Sequence, residues 1–178
     1  MRVAGGKAKG HRLKVPKIRD VRPTQESIRT NIFNILGDFV EGKKVFDLYA
    51  GSGSLGIEAL SRGAREVIFI ESNKNACRVI KENLGHAKLD KKGKVICHDA
   101  KQVLLTLPDR DIDLALLDPP YSIGKMDHVF SALASHLKRG AVLVYEHAKT
   151  TEVPSIPGLK VFDRRMYGST KVTFLTKE

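Results

Sequence analysis

Two groups of residues in this chain have the types and spacing to do chemistry. The first is Asp118-Pro119-Pro120-Tyr121, which follows the apolar run Ile112–Leu117. A carboxylate, a proline carbonyl and an aromatic ring in this order suit the activation of an exocyclic amine on a nucleic-acid base. Such an amine is a poor nucleophile because its lone pair is delocalised into the ring. Asp118 can accept a hydrogen bond from one N–H and the Pro119 carbonyl from the other. Together they favour a pyramidal nitrogen with its lone pair aimed outward. Pro119 and Pro120 fix φ and hold that carbonyl in place. Tyr121 can stack on a base taken out of its helix. A Pro-Pro pair can also be a plain turn. Its place at the end of an apolar strand, downstream of a glycine turn in the same pattern, favours the functional reading.

The second group is that glycine turn, Gly51-Ser52-Gly53-Ser54-Leu55-Gly56, at the change from an apolar strand to a helix. Glycines at this spacing let a ligand approach the backbone closely. Glu71 closes the next strand, where a carboxylate can accept hydrogen bonds from both ribose hydroxyls. A nicotinamide dinucleotide site has the same fingerprint. Three features favour S-adenosylmethionine instead. Asp47 lies inside the first strand, where it can hold the turn or the amino-acid end of the cofactor but would repel a pyrophosphate. Asp99, closing the third strand, can accept a hydrogen bond from an adenine amine; taken alone, it is more readily the cap of the following helix. The C-terminal segment reads as a hairpin rather than a substrate domain. Positioning would carry most of the catalysis, since well-aligned partners can gain roughly 7–11 kcal/mol. The methyl donor is already activated by its charge, so no metal is needed.

These residues require a scaffold of alternating strands and helices. The pattern predicts strands at 45–49, 66–70, 94–97, 112–117 and 141–145. Helices are predicted after the glycine turn to residue 62, and at 74–84, 100–107 and 126–137. Such alternation implies a parallel sheet covered on both faces. Segments 160–163 and 171–175 read as two further strands in an antiparallel hairpin joined through residues 166–169. An earlier helix, with Ile28, Ile32, Phe33, Ile35 and Leu36 on one face, follows Arg22-Pro23-Thr24 and is expected to stop at Gly37. The expected fold is therefore Rossmann-like α/β with seven strands and a C-terminal antiparallel hairpin. Residues 1–23 read as a basic arm of irregular or hairpin-like form, and residues 24–178 as one domain.

The chain has 178 residues, 42% hydrophobic, and a net charge of +11. That composition excludes a disulfide miniprotein or a disordered tail. Its apolar runs are far too short for a membrane span, and the N-terminal segment has no apolar signal region. Residues 1–29 hold nine Lys/Arg against Asp20 and Glu26, a net of +7, while the other residues net +4. A basic arm on a nearly balanced body points to a polyanion partner. Cys77 and Cys97 have no metal-ligand spacing and read as reduced core thiols in a cytosolic protein. The six histidines show no ligand spacing either. Lys88, Lys91, Lys92 and Lys94 form a basic loop that reads as solvated, and Arg164-Arg165 could meet phosphates at the sheet's edge.

Residues 46–64, from Phe46-Asp47-Leu48-Tyr49-Ala50-Gly51 to Arg62-Gly63-Ala64, resemble the cofactor segment of the bacterial 16S rRNA guanine-N2 methyltransferases of the RsmD family. Gly5-Gly6-Lys7 with Arg22-Pro23-Thr24 is similar to that family's N-terminal arm. Asp118-Pro119-Pro120-Tyr121 is similar to its catalytic tetrapeptide, and Tyr167-Gly168 to its closing hairpin. The tetrapeptide is shared with adenine-N6 and cytosine-N4 enzymes and does not name the base. The resemblance implies a class I S-adenosylmethionine-dependent methyltransferase that acts on guanine N2 and releases S-adenosylhomocysteine. It implies cofactor binding by Asp47, Ala50, Gly51, Ser52, Gly53, Glu71, Ser72, Asp99 and Ala100, and base binding by Asp118, Pro119, Pro120 and Tyr121. It further implies that Arg22, Thr24 and Arg29 lie near the cofactor or the RNA backbone, and Lys7 and Arg12 of the basic arm are expected to meet RNA as well. The implied partner is 16S rRNA in an assembled or assembling small subunit; the expected setting is cytoplasmic, and a monomer is the default for the oligomeric state. Thr30 and Asn73 depart from the family pattern, where acidic residues are expected. A runner-up enzyme methylates adenine or cytosine amines of RNA or DNA, and a non-catalytic RNA-binding assembly factor is the alternative of another class.

Overall fold

A computed structural model of the chain describes residues 1–16, 26–108 and 111–178. Among them, seven strands form one sheet in the order β3-β2-β1-β4-β5-β7-β6. The strands are β1 (Lys44–Leu48), β2 (Glu66–Glu71), β3 (Gly93–Cys97), β4 (Ile112–Leu117), β5 (Leu137–Ala148), β6 (Leu159–Tyr167) and β7 (Thr170–Lys177). The first five run parallel, and β7 lies antiparallel between β5 and β6. The expected architecture is therefore present, including the terminal hairpin. Its strands run longer than the apolar pattern showed, because the edge strand β6 alternates exposed and half-buried residues. Gly168, with φ 63°, makes the turn between them.

Among the described residues, five α-helices cover the sheet: α1 (Glu26–Leu36), α2 (Ser54–Ser61), α3 (Lys74–His86), α4 (Ala100–Thr106) and α5 (Asp127–His136). Side chains of a strand alternate between faces, so one core forms on each. Val45, Phe69, Leu114 and Val144 pack with α1, α2 and α3. Phe46, Ile70, Leu117 and Tyr145 pack with α4 and α5. α1 gives way at Gly37 (φ 52°) to a 3-10 turn, Gly37–Val40. Leu137, expected at the end of α5, instead opens β5, and the β4–β5 register shifts between Ile112 and Leu114.

Residues 1–16 of the N-terminal arm are part of the fold. Arg2 and Arg12 form an antiparallel bridge, so these residues are hairpin-like. Val3, Ala8 and Leu13 are buried in the core beside α1, α2 and α3. The arm docks on the end of α2: Lys7 N–H donates to the Ser61 carbonyl at 2.7 Å, and Ala8 N–H to Ser61 Oγ at 2.9 Å. A Cβ on Gly6 would lie 1.9 Å from that carbonyl oxygen, so the close approach requires glycine. The boundary expected between residues 23 and 24 lies outside the described residues.

Two expectations are corrected here. Arg29 faces the interior: it is fully buried, with Nε 3.4 Å from Glu58 Oε2, and it donates to the Arg2 carbonyl. It ties arm to helix and has no surface for a phosphate. Cys77 and Cys97 are not two reduced core thiols. Cys77 is buried but Cys97 is exposed, and they form a disulfide with Cα atoms 6.0 Å apart. The register pairing Glu71 with Cys97 brings the end of β3 beside the start of α3.

Candidate active site

Strand register brings the chemical groups together. β1 lies between β2 and β4, so its C-terminal end is where the strand order reverses. Ligands of open α/β sheets bind outside such a switch point. Leu48 pairs with Ile70 on one side and Leu117 on the other. The turn after β1, Glu71 at the end of β2 and Asp118 after β4 therefore emerge side by side.

The turn is built from unusual backbone. Tyr49, Gly51 and Gly53 have φ of 59°, 56° and 77°. For Tyr49 this left-handed conformation costs of order 1–3 kcal/mol. Glu71 secures the turn: its Oε2 accepts from Gly51 N–H at 2.9 Å and its Oε1 from Asn73 N–H at 2.8 Å. Asn73, one of the departures from the family pattern, caps α3 by accepting from the N–H groups of Asn75 and Ala76. Thr30, the other, donates its hydroxyl to the Glu26 carbonyl within α1.

Asp47 is buried and accepts from Gly56 N–H at 2.9 Å. A Cβ at residue 56 would come within 2.4 Å of the Phe69 ring and 2.8 Å of Asp47 Oδ2. The third glycine of the motif is thus required by packing. Burial pushes the Asp47 carboxyl well above the usual carboxylate range; the Gly56 hydrogen bond opposes this, and the charges of Asp118 and Glu71 add to the rise. Three carboxyl groups at adjacent strand ends suit a cationic ligand, since a nearby cation favours their ionised forms. S-adenosylmethionine carries a sulfonium and an ammonium and fits that requirement, whereas a pyrophosphate does not.

Asp99 caps α4, its Oδ1 accepting from Gln102 N–H at 3.0 Å. Burial, with Asp99 and Tyr145 nearby, pushes the Tyr49 hydroxyl up to about 12. Ser52 and Ala100 are buried, Ala50 is half-buried and Ser72 is exposed. In the tetrapeptide, Asp118 is half-buried, Pro119 buried, and Pro120 and Tyr121 exposed. The Tyr121 hydroxyl lies 2.7 Å from Thr170 Oγ1. Lys7 and Arg12 are exposed on the arm, while Arg22 and Thr24 lie outside the described residues.

A family model, Conserved hypothetical protein 95, matches residues 1–176. The Haemophilus influenzae protein "Ribosomal RNA small subunit methyltransferase D" is 31% identical, over 84% of this chain and 79% of its own length. The chain belongs to this family, the RsmD family. The Bacillus subtilis protein "Putative rRNA methyltransferase YlbH" is 35% identical to this RsmD-family chain, over 99% of each. The structure of "Putative methyltransferase yhhF from Escherichia coli" superposes with a TM-score of 0.90 at 25% identity, covering 100% of this chain and 98% of that one. The family resemblance read from the cofactor segment and the class I methyltransferase fold are both borne out.

Several residues of the site were not legible in the sequence. Tyr49 carries no local mark of its left-handed backbone. Thr170 sits in an ordinary strand pattern. Asn83 did leave a signal, as a polar residue on the apolar face of α3 beside Ile80 and Leu84. It is fully buried. Its Nδ2 donates to the Ser52 carbonyl at 2.9 Å and the Lys14 carbonyl at 3.0 Å, and its Oδ1 accepts from Lys14 N–H at 2.8 Å.

Proposed function

We propose that this RsmD-family chain is an S-adenosylmethionine-dependent methyltransferase acting on the exocyclic N2 amine of a guanine in small-subunit (16S) ribosomal RNA. The observation that carries the reading is the pairing of Leu48 with Leu117, which sets residues 118–121 beside the turn at 51–53. Asp47, Ala50, Gly51, Ser52, Gly53, Glu71, Ser72, Asp99 and Ala100 would hold the cofactor. Glu71 has the acceptor lone pairs for ribose hydroxyls, and Asp47 the charge for the cationic end. When bound, the cofactor supplies a methyl group activated by its sulfonium charge.

The chain's own residues act by holding and orienting the base. Asp118 and the Pro119 carbonyl accept the two N–H groups of the amine, which localises the nitrogen lone pair. Pro119 and Pro120 keep that carbonyl fixed. Tyr121 stacks on the base, with its hydroxyl held at Thr170. The nitrogen would gain the methyl carbon as that carbon's bond to the sulfonium sulfur breaks, leaving a neutral thioether, and would release one proton to water while Asp118 holds the other N–H. The arm, residues 1–23, supplies RNA contacts through Lys7 and Arg12, with Arg22 and Thr24 proposed on family likeness; residues 24–178 form the catalytic domain. The enzyme would work in the cytoplasm as a monomer, on rRNA in an assembled or assembling subunit. A domain of this size reads RNA shape more readily than a long sequence.

Labelled methyl transfer to small subunits lacking the modification, with the labelled nucleoside identified, tests the reading. Label in N2-methylguanosine supports it. Label in N6-methyladenosine or N4-methylcytidine would keep the chemistry and move the target. Cofactor and RNA binding without label on any RNA would support the non-catalytic assembly factor.

A further inference from the structure

The positive charge of this chain is concentrated in two separate segments that the fold brings together. Residues 1–16 hold Arg2, Lys7, Lys9, Arg12 and Lys14 and no acidic residue. Residues 74–94 hold Lys74, Arg78, Lys81, Lys88, Lys91, Lys92 and Lys94 against Glu82 and Asp90. Each segment nets +5, while residues 30–73 and 95–178 together hold 15 basic and 16 acidic residues. All twelve cations are exposed. Among the described residues, the one ion pair that involves them is Lys14–Glu82, at 2.8 Å.

That pair joins the segments. Lys14 also exchanges backbone hydrogen bonds with Asn83 of α3. A groove of about 530 Å³ runs between them, with Lys14, Val15 and Pro16 on the arm side and Asn75, Arg78 and Glu82 on the helix side. Lys14 and Arg78, with His86, hold the Glu82 carboxyl below its ordinary range, so both cations face one point. On α3 the buried face is Ala76, Cys77, Ile80, Asn83 and Leu84. Lys74, Arg78 and Lys81, spaced by four and three, line the opposite face. The helix starts beside the Glu71 site, and its 13 residues span about 20 Å. Lys88, Lys91 and Lys92 follow, exposed, in the turn between the end of α3 and β3.

Resting on the RNA-substrate reading above, we infer that the outer face of α3, the loop at 88–94 and the docked arm form one phosphate-binding track for RNA leading away from the methylation site. A solvated charged face would mix both signs; this one concentrates a single sign while the rest of the chain is balanced. The row is one-sided and regular, which suits a backbone of repeating phosphates more than a single anionic ligand.

The test measures binding of a small-subunit rRNA transcript across a series of KCl concentrations. Wild-type chain is compared with Lys81→Gln/Lys88→Gln/Lys92→Gln and with a control, Lys138→Gln/Lys160→Gln/Lys177→Gln, changed outside the track. Neutralising one lysine that pairs with a phosphate should lower the slope of log affinity against log salt by roughly 1. The track variant should lose about 2 to 3 in slope and bind more than tenfold more weakly at low salt, with S-adenosylmethionine affinity unchanged. The control should keep the wild-type slope. A track variant with wild-type slope, or a control that loses as much, would overturn the track alone. Wild-type chain that binds no rRNA at all would overturn the substrate reading with it.

Discussion

Tyr121 and Thr170 meet through their hydroxyls at 2.7 Å, joining the loop after β4 to the first residue of β7. Tyr121 is 52% exposed and Thr170 is 4% exposed, so one partner is anchored and the other reaches outward. This contact gives the terminal hairpin a role in the site, since it sets the direction of a ring proposed to stack on the base. Thr170→Val keeps the side chain's shape and removes the hydroxyl. One neutral hydrogen bond is worth about 1 kcal/mol, so single-turnover methyl transfer should slow about fivefold. Thr170→Ser should recover most of the rate. Equal loss in both variants would contradict the positioning role.

Asn83 bridges the arm and the glycine turn after β1, with its amide satisfied by Lys14 and Ser52. Asn83→Ala leaves the Ser52 carbonyl without that donor in a buried position. Stability should fall by about 2 kcal/mol, lowering Tm by roughly 4–8 °C for a chain of this size. Calorimetric titration with S-adenosylmethionine should also show weaker binding. A variant with lower Tm and unchanged cofactor affinity would make Asn83 a stability residue only.

Asp47 predicts a pH dependence of definite sign. Its carboxyl titrates above the ordinary range in the folded chain, chiefly through burial. Between the unfolded and folded values the folded chain binds more protons, so this group's contribution to stability falls as pH rises through that window. Asp47→Asn should flatten that part of the stability profile and raise stability above it. The same change removes a carboxyl that a bound cation would favour in its ionised form, so cofactor affinity should drop by about tenfold. Urea unfolding over a pH series, with cofactor titration on the same samples, checks both signs.

Arg29 and Glu58 are both fully buried, and Glu58 also receives Ala4 N–H at 2.8 Å and Arg62 Nε at 2.8 Å. Removing one member of a buried ion pair typically costs 3–5 kcal/mol, so Glu58→Gln should destabilise by about that much. Arg29→Met should lower stability without reducing the salt slope of rRNA binding. A reduced slope at unchanged stability would return Arg29 to the surface.

The scaffold was legible because its signals are local. Apolar runs marked β1 to β5, the glycine spacing marked the turn, and the charge count marked the arm. What escaped depends on contacts between distant segments. Arg29 looked like one more cation of the arm, since nothing near it in the chain announces Glu58. Cys77 and Cys97 have no telling spacing; the β2–β3 register and the start of α3 bring them together. The disposition of Asp118 was readable from its strand, while the tie from Tyr121 to Thr170 spans 49 positions.

The central claim is that Asp118 holds the target amine beside a cofactor bound at the β1 turn. The most direct test compares wild-type chain with Asp118→Ala in single-turnover transfer of labelled methyl to small subunits lacking the modification, with S-adenosylmethionine affinity measured in parallel. Wild type should place label in N2-methylguanosine, and Asp118→Ala should transfer at least a hundredfold more slowly with cofactor affinity within a few-fold of wild type. Transfer by the variant at the wild-type rate would contradict that claim.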